Sequence, residues 1–424
     1  MSLGLRLLAG LSDRSVSAYH LLPQLEAWVK SRCSILNPST RIEAGDSSPS
    51  LFCRLHPAAE EFELSLIAPQ QISVSANTST VGPGYHMFLT SLLKDLAQEI
   101  GTAWEAPSDD SDEFGDETGF FFSGDEAGLQ TEMTTWLAAL ANTFFDGTFD
   151  SDSQAIALCL PMNPQFESSQ LAITPLGPRD REWLRRTATD GNQGTDFFAW
   201  WEPGFNSRYY LGRALAQMWT DVRWRAPASS QEELVLKDVA DCLKTAYELD
   251  PNLDYPWAEW KEISEYLGVS GVATPGEAKR HSAASIGYRR NTVTVTLPGG
   301  WSIRIPGSFS DFEVDEQGDM FAVDPPFEIW FTAYRLEQST PTAFKNGKNE
   351  MQNRHADEVI DRETYFAQAT ISERQRDTGE RYFVLNSSNL AVGTRSDCTI
   401  LFSNQDEAEW ALGTWRSLKP PAEN

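Results

Sequence analysis

Between Lys94 and Arg179 the chain runs 84 residues without one Lys, Arg or His while carrying 16 Asp and Glu. With 34 basic residues in 424, a stretch of that length would ordinarily hold about seven. The whole chain is formally −27, so this fifth of it carries −16 and the other 340 residues only −11. Such a block cannot neutralise itself. Its carboxylates must sit in water, bind cations or face a basic partner.

Around that block the composition is that of a folded protein. A length of 424 with 41% hydrophobic residues and 14 Trp predicts two or three domains with substantial cores. A sequence pI near 4.5 argues against nucleic acid, whose phosphates call for a basic face, and against anionic membranes. The N-terminal apolar stretch is too short and lacks the flanks of a signal peptide, and no run approaches 18 apolar residues. Cys33, Cys53, Cys159, Cys242 and Cys398 are odd in number and scattered, without a C-x-x-C pair. Reduced thiols in a cytoplasmic protein are expected.

The patterns predict a multidomain α+β protein: an N-terminal α+β domain over 1–178, a Trp-rich helical region over 179–267, a linker over 268–289 and an α+β domain over 290–424. In the first, a helix is predicted at 20–33, and strands at 51–55, 63–68 and 71–76. The turn Gly82-Pro83-Gly84 opens a helix with Phe88, Leu89, Leu92, Leu93 and Leu96 at 3.6 spacing. A helix over 126–145 and a buried strand at 155–160 follow. Four helices are expected between 179 and 267. In the last domain, alternation of Thr292, Thr294 and Thr296 with Val293, Val295 and Leu297 before Gly299-Gly300 reads as a hairpin. Strands are expected at 327–333, 381–386 and 398–402, and a final helix at 406–418.

Two resemblances accompany these patterns. Ala246-Tyr247-Glu248-Leu249-Asp250-Pro251, closing one helix before another, resembles the end of a tetratricopeptide unit and implies one helical hairpin. Pro298-Gly299-Gly300-Trp301, Ile305-Pro306 and Trp415-Arg416-Ser417-Leu418, in that order over about 130 residues, resemble PsbP-like sandwich domains. That resemblance implies a sheet covered by helices. Because bacterial members include chaperones of secreted effectors and other binding modules, it also implies binding rather than catalysis.

Motifs for common catalytic chemistries are missing: no G-x-S-x-G, no phosphate-binding G-x-x-x-x-G-K-[ST], no H-E-x-x-H and no placed dinucleotide fingerprint. No cofactor or metal is expected. The acids Asp109, Asp110, Asp112, Glu113, Asp116 and Glu117 resemble a calcium loop only in part, since the fifth and twelfth positions counted from Asp110 are Phe114 and Phe121. An acidic loop over 105–126, holding nine of the 16 acids, is predicted instead. Phe114, Phe120, Phe121 and Phe122 within it would supply desolvated anchors for a basic protein. Trp200 and Trp201, in Phe197-Phe198-Ala199-Trp200-Trp201, are a sugar-stacking platform, a partner-binding ridge or core plugs. His86, in the first turn after Gly82-Pro83-Gly84, is either a catalytic or anion-binding residue near free helix amides or a packing residue.

These features lead to two competing expectations. One is an acidic cytosolic bacterial protein that neutralises or escorts a basic protein, such as an immunity protein for a toxin or secreted effector. The other is a hydrolase using acids and His86 in the N-terminal domain. A third possibility, which the sequence does not separate from the first, is a scaffold or sensor in a defence or secretion system that uses the helical middle as an interaction surface. The sequence leaves the oligomeric state open.

Overall fold

A computed structural model describes residues 3–11, 18–43, 49–68, 70–105, 115–145, 156–157, 165–166, 172–269, 285–309, 313–314, 318–352 and 355–421. The fold is α+β, built on antiparallel sheets. It divides into one unit of Met1–Pro161, Ser168–Val222 and Leu234–Gly287, and a second of Met162–Glu167, Arg223–Glu233 and Tyr288–Asn424.

The first unit is organised by a six-stranded sheet. Its strands are β1 (Gly4–Gly10), β2 (Ser39–Glu43), β3 (Ser50–Arg54), β4 (Phe62–Ala68), β5 (Gln71–Asn77) and β6 (Gly115–Asp116), in spatial order β2-β3-β4-β5-β1-β6. The period-2 pattern of β4 is realised as expected: Leu64 faces Val74 and Leu66 faces Ile72, so both strands bury the same face. The strand β1 was not predicted. It buries Leu5, Leu7 and Ala9, but it exists through pairing with β5, Gly4 opposite Asn77 to Gly10 opposite Gln71. Two glycine ends and seven residues give no local signal for such long-range pairing.

Helices α1 (Ala18–Arg32) and α2 (Pro83–Glu99) share the sheet's core, α1 through Leu21, Leu25 and Val29 and α2 through Leu89, Leu93 and Leu96. The short α3 (Phe120–Ser123) leads into α4 (Glu126–Phe145), whose predicted bounds are realised. Leu129, Met133 and Leu137 of α4 form a second cluster with Leu184 and Phe197. Leu184 lies on α5 (Arg181–Thr189), where Asp180 caps the helix by accepting the Trp183 N–H.

Four short strands precede α5: β7 (Ile156–Ala157), β8 (Gln165–Phe166), β9 (Ala172–Thr174) and β10 (Gly177–Arg179). Helices α6 (Ser207–Thr220), α7 (Ser230–Leu249) and α8 (Trp257–Tyr266) occupy the places the sequence assigns them. The predicted boundary at 178 is not where the cores divide. Ala199, Trp200, Tyr209 and Ala216 lie in the same core as the sheet. Buried Arg213 donates to the Leu36 and Leu55 carbonyls while paired with Asp238 at 2.8 Å. A switch from strand to helix periodicity marks a change of element, and here the core continues across it.

In the second unit, β11 (Thr292–Thr296) and β12 (Ser302–Pro306) form the predicted hairpin, Val293 opposite Ile305, with β8 beside β11. A seven-stranded antiparallel sheet follows: β13 (Glu313–Val314), β14 (Met320–Asp324), β15 (Phe327–Arg335), β16 (Glu358–Asp361), β17 (Tyr365–Gln375), β18 (Arg381–Ala391) and β19 (Thr394–Phe402), ordered β13-β14-β15-β19-β18-β17-β16. Helix α9 (Pro341–Met351) sets Phe344 against Phe366 and Leu390. Trp301 and Trp415, the latter on α10 (Ala408–Arg416), are fully buried. Each indole N–H finds a partner, Thr394 Oγ1 at 3.1 Å and Asn389 Oδ1 at 2.8 Å.

Candidate functional site

Two features singled out in the sequence meet in space. His86, in the first turn of α2, is fully buried, and so is the side chain of Asp116 at the end of β6. The imidazole Nε2 lies 3.2 Å from Asp116 Oδ2 and 3.2 Å from Thr118 Oγ1, while Nδ1 is 2.8 Å from Thr78 Oγ1. Asp116 also accepts the Phe121 N–H at 2.6 Å, and its other oxygen takes both the N–H and O–H of Thr118. Burial alone would raise this carboxyl. Hydrogen bonds and charge from His86, with the bonds from Phe121 and Thr118, hold it below the usual carboxylate range.

This cluster is closed. Phe120 packs edge-on to the imidazole at 5.9 Å, and Phe121 is 4% exposed within the sheet's core. In this structure no face of the His86 ring meets solvent, and both nitrogens have side-chain partners. The cluster instead ties three separate pieces of chain together. These are the end of β5, the start of α2, and the turn from β6 into α3.

Gly82-Pro83-Gly84 serves packing as well. A Cβ on Gly84 would lie 2.3 Å from Trp200 Cδ1, and Gly82 holds φ +117 against the Trp200 carbonyl. The Gly84 N–H donates to Trp200 O, and the Trp200 N–H to Val81 O. The helix start that resembled an anion site is occupied by the protein's own backbone. Trp200 is 1% exposed and packs on Tyr209 with ring centroids 4.4 Å apart, so it is a core plug. Trp201 is half-buried against Phe198.

The acidic loop is divided by its surroundings. Asp109, Asp110, Asp112, Glu113 and Phe114 lie outside the described residues. Asp116 and Phe121, predicted as surface contacts, are internal because their polar and apolar atoms complete the His86 cluster and the core. Phe120 is half-buried over the imidazole. Glu117 remains at the surface and accepts the Gly4 N–H at 2.7 Å. Phe122 turns outward and is 47% exposed, with Asp125 and Glu126 exposed after it and Glu105 before the loop. Asp125 accepts the Gly128 N–H near the start of α4. The Phe120-Phe121-Phe122 run holds no period that distinguishes these three fates.

Among the described residues, no group of three or more His, Cys, Asp or Glu is placed to hold a metal ion. Burial pushes the thiols of Cys33, Cys242 and Cys398 up to about 12, which makes them poor nucleophiles. Among the described residues no helix is long and apolar enough to cross a membrane.

No protein-family model matches the chain, and no curated protein matches it. A solved structure from Bacteroides thetaiotaomicron VPI-5482 is similar over part of its length, at 16% identity and a TM-score of 0.26. The match covers 31% of this chain and 48% of that one, so this chain spans about half the length of that neighbour. A likeness of this size carries no argument about fold or function.

Proposed function

We propose that the protein binds a basic protein partner through the acidic segment 105–126 and acts by neutralising or escorting it. The observation that carries this is the base-free stretch, with 16 acids and no Lys, Arg or His over 84 residues. Supporting it, Phe122 is exposed in a segment whose exposed charged residues Glu117, Asp125 and Glu126 are all acidic. An exposed aromatic in an acidic segment combines a desolvatable anchor with long-range steering of an oppositely charged partner. A cytoplasmic immunity protein or chaperone for a toxin or secreted effector fits such a surface. A PsbP-like binding module at the C-terminal end belongs to the same proposal. A hydrolytic role for His86 finds no support in its sealed surroundings.

The test is affinity isolation from the native cell with the wild-type chain and with Asp109, Asp110, Asp112 and Glu113 all reversed to Lys. The wild type should recover a basic protein that is toxic when produced alone. The reversed variant should bind it at least about tenfold more weakly at physiological salt. Equal affinity of the two chains, or a partner that is itself acidic, would remove the segment from the function.

A further inference from the structure

The seven-stranded sheet of the second unit buries one face, and the strand register shows what stands on the other. On β17, β18 and β19 the residues Ala369, Ser387, Ser396 and Cys398 are buried. Their neighbours Thr370, Asn386, Ser388, Arg395, Asp397 and Thr399 alternate with them and project from the opposite face. All six are half-buried or exposed, and together they line a hollow of about 340 Å³.

Cross-strand partners run over this face in rows. Trp330 of β15 pairs with Thr399, Thr399 with Asn386, and Asn386 with Thr370. In the next row Thr332 pairs with Asp397 and Asp397 with Ser388. Side chains directly opposite one another across strands stand about 5 Å apart, so Trp330 borders the hollow. Its ring is 45% exposed and lies against Phe321 of β14, with centroids 4.3 Å apart. Tyr334, on the same face of β15, is 47% exposed. Helix α9 covers the far end, where Phe344 packs on Phe366 and Leu390 and the Met351 carbonyl accepts from Gln368 Nε2. An aromatic rim thus meets a polar floor. The charges of that floor cancel, since Arg395 pairs with Asp397 at 3.5 Å and Ser388 donates to the same carboxylate at 2.7 Å. Arg395 Nε is buried without a hydrogen-bond partner. Asn386 accepts from Thr399 at 3.3 Å through its amide oxygen, and its NH₂ group has no partner among the described residues.

We propose that this face binds a neutral oligosaccharide. A pyranose ring offers an apolar C–H face that stacks on an exposed aromatic, and a rim of hydroxyls that each donate and accept. Trp330 beside a row of hydroxyl and amide groups meets both needs. With Arg395 offset by Asp397, the floor carries no net charge by which to recognise an ion. Covering the rows with an apolar protein surface would strand their polar groups. From Trp330 to Thr370 the first row crosses three strand spacings, about 14 Å, which is longer than one sugar ring. The hollow also lies within the range of about 300–1,000 Å³ common to small-ligand sites. The inference does not rest on the acidic segment, and either can fail alone.

A microarray of neutral oligosaccharides built from hexoses, pentoses and N-acetylhexosamines, with sialylated and sulfated glycans as charged controls, tests it on the full-length chain. The wild type should bind at least one neutral glycan, and no charged glycan more tightly. Titrated with the neutral glycan that binds best, Trp330→Ala should lose at least about tenfold in affinity and Asn386→Ala about fivefold. Phe122→Ala should lose nothing, which separates this site from the acidic segment. Trp330→Phe keeps a ring and should fall between; it is the reporter if Trp330→Ala fails to fold. No neutral glycan bound, tightest binding to a charged glycan, or undiminished binding in the Trp330 and Asn386 variants would overturn the proposal.

Discussion

Asp116 and Asp125 stand nine residues apart in the same base-free stretch, each close to a phenylalanine, yet the fold treats them oppositely. Asp116 is sealed against His86, with Phe121 beneath the same turn. Asp125 faces water at the start of α4, three residues after the exposed Phe122. The difference lies in what each carboxylate can reach. Asp116 finds four protein donors in reach (the imidazole, two amides and a hydroxyl), and these offset its desolvation. Asp125 accepts the backbone amide of Gly128, and its carboxylate is exposed to solvent. One acidic composition therefore yields a structural pin and a solvated rim.

The comparison breaks first at Asp116. Replacing it with Ala leaves a buried imidazole without its carboxylate, and urea unfolding should show a loss of about 3 kcal/mol or more. A loss below about 0.5 kcal/mol would mean that the pin is ornamental. Next in size is Gly84→Ala, which drives a methyl into the Trp200 indole and should cost about 1–3 kcal/mol by the same measurement.

A smaller effect is expected from pH. The Asp116 carboxyl titrates lower in the folded chain than in the unfolded one. Its contribution is therefore fully present above the unfolded carboxylate pKa of about 4 and is lost as pH falls through the lowered folded value. Thermal midpoints of wild type and Asp116→Asn, followed from pH 7 downwards, should converge at the acid end. Parallel curves would show that the ionised carboxylate is not what stabilises the turn. Smallest of all, Phe122→Ala should shift stability by no more than about 0.5 kcal/mol, because the ring is already half in water.

Much of the secondary structure was legible because its signals are local. The leucine spacing of α2, the alternation at β4 and the glycine turn between β11 and β12 each predict their element from within a dozen residues. Strands β1, β2, β6, β8, β9, β10, β13, β14, β16 and β17 escaped, the first because only its partner β5 completes it. The unit boundary escaped too, since Arg213 binds carbonyls 158 and 177 positions away. At the candidate site, the sequence marked His86 and Asp116 separately without showing that they touch. Thr78 and Thr118, which complete the cluster, carry no pattern at all.

The most direct measurement sets the two regions against each other, with affinity for the captured basic partner and thermal midpoint recorded for Phe122→Ala and His86→Gln side by side. Phe122→Ala should weaken binding about tenfold with an unchanged midpoint, as for an interface anchor, and His86→Gln should lower the midpoint while the chain that remains folded binds as the wild type does. A His86→Gln chain that keeps its midpoint but loses activity, beside a Phe122→Ala chain that binds normally, would contradict both halves of the comparison.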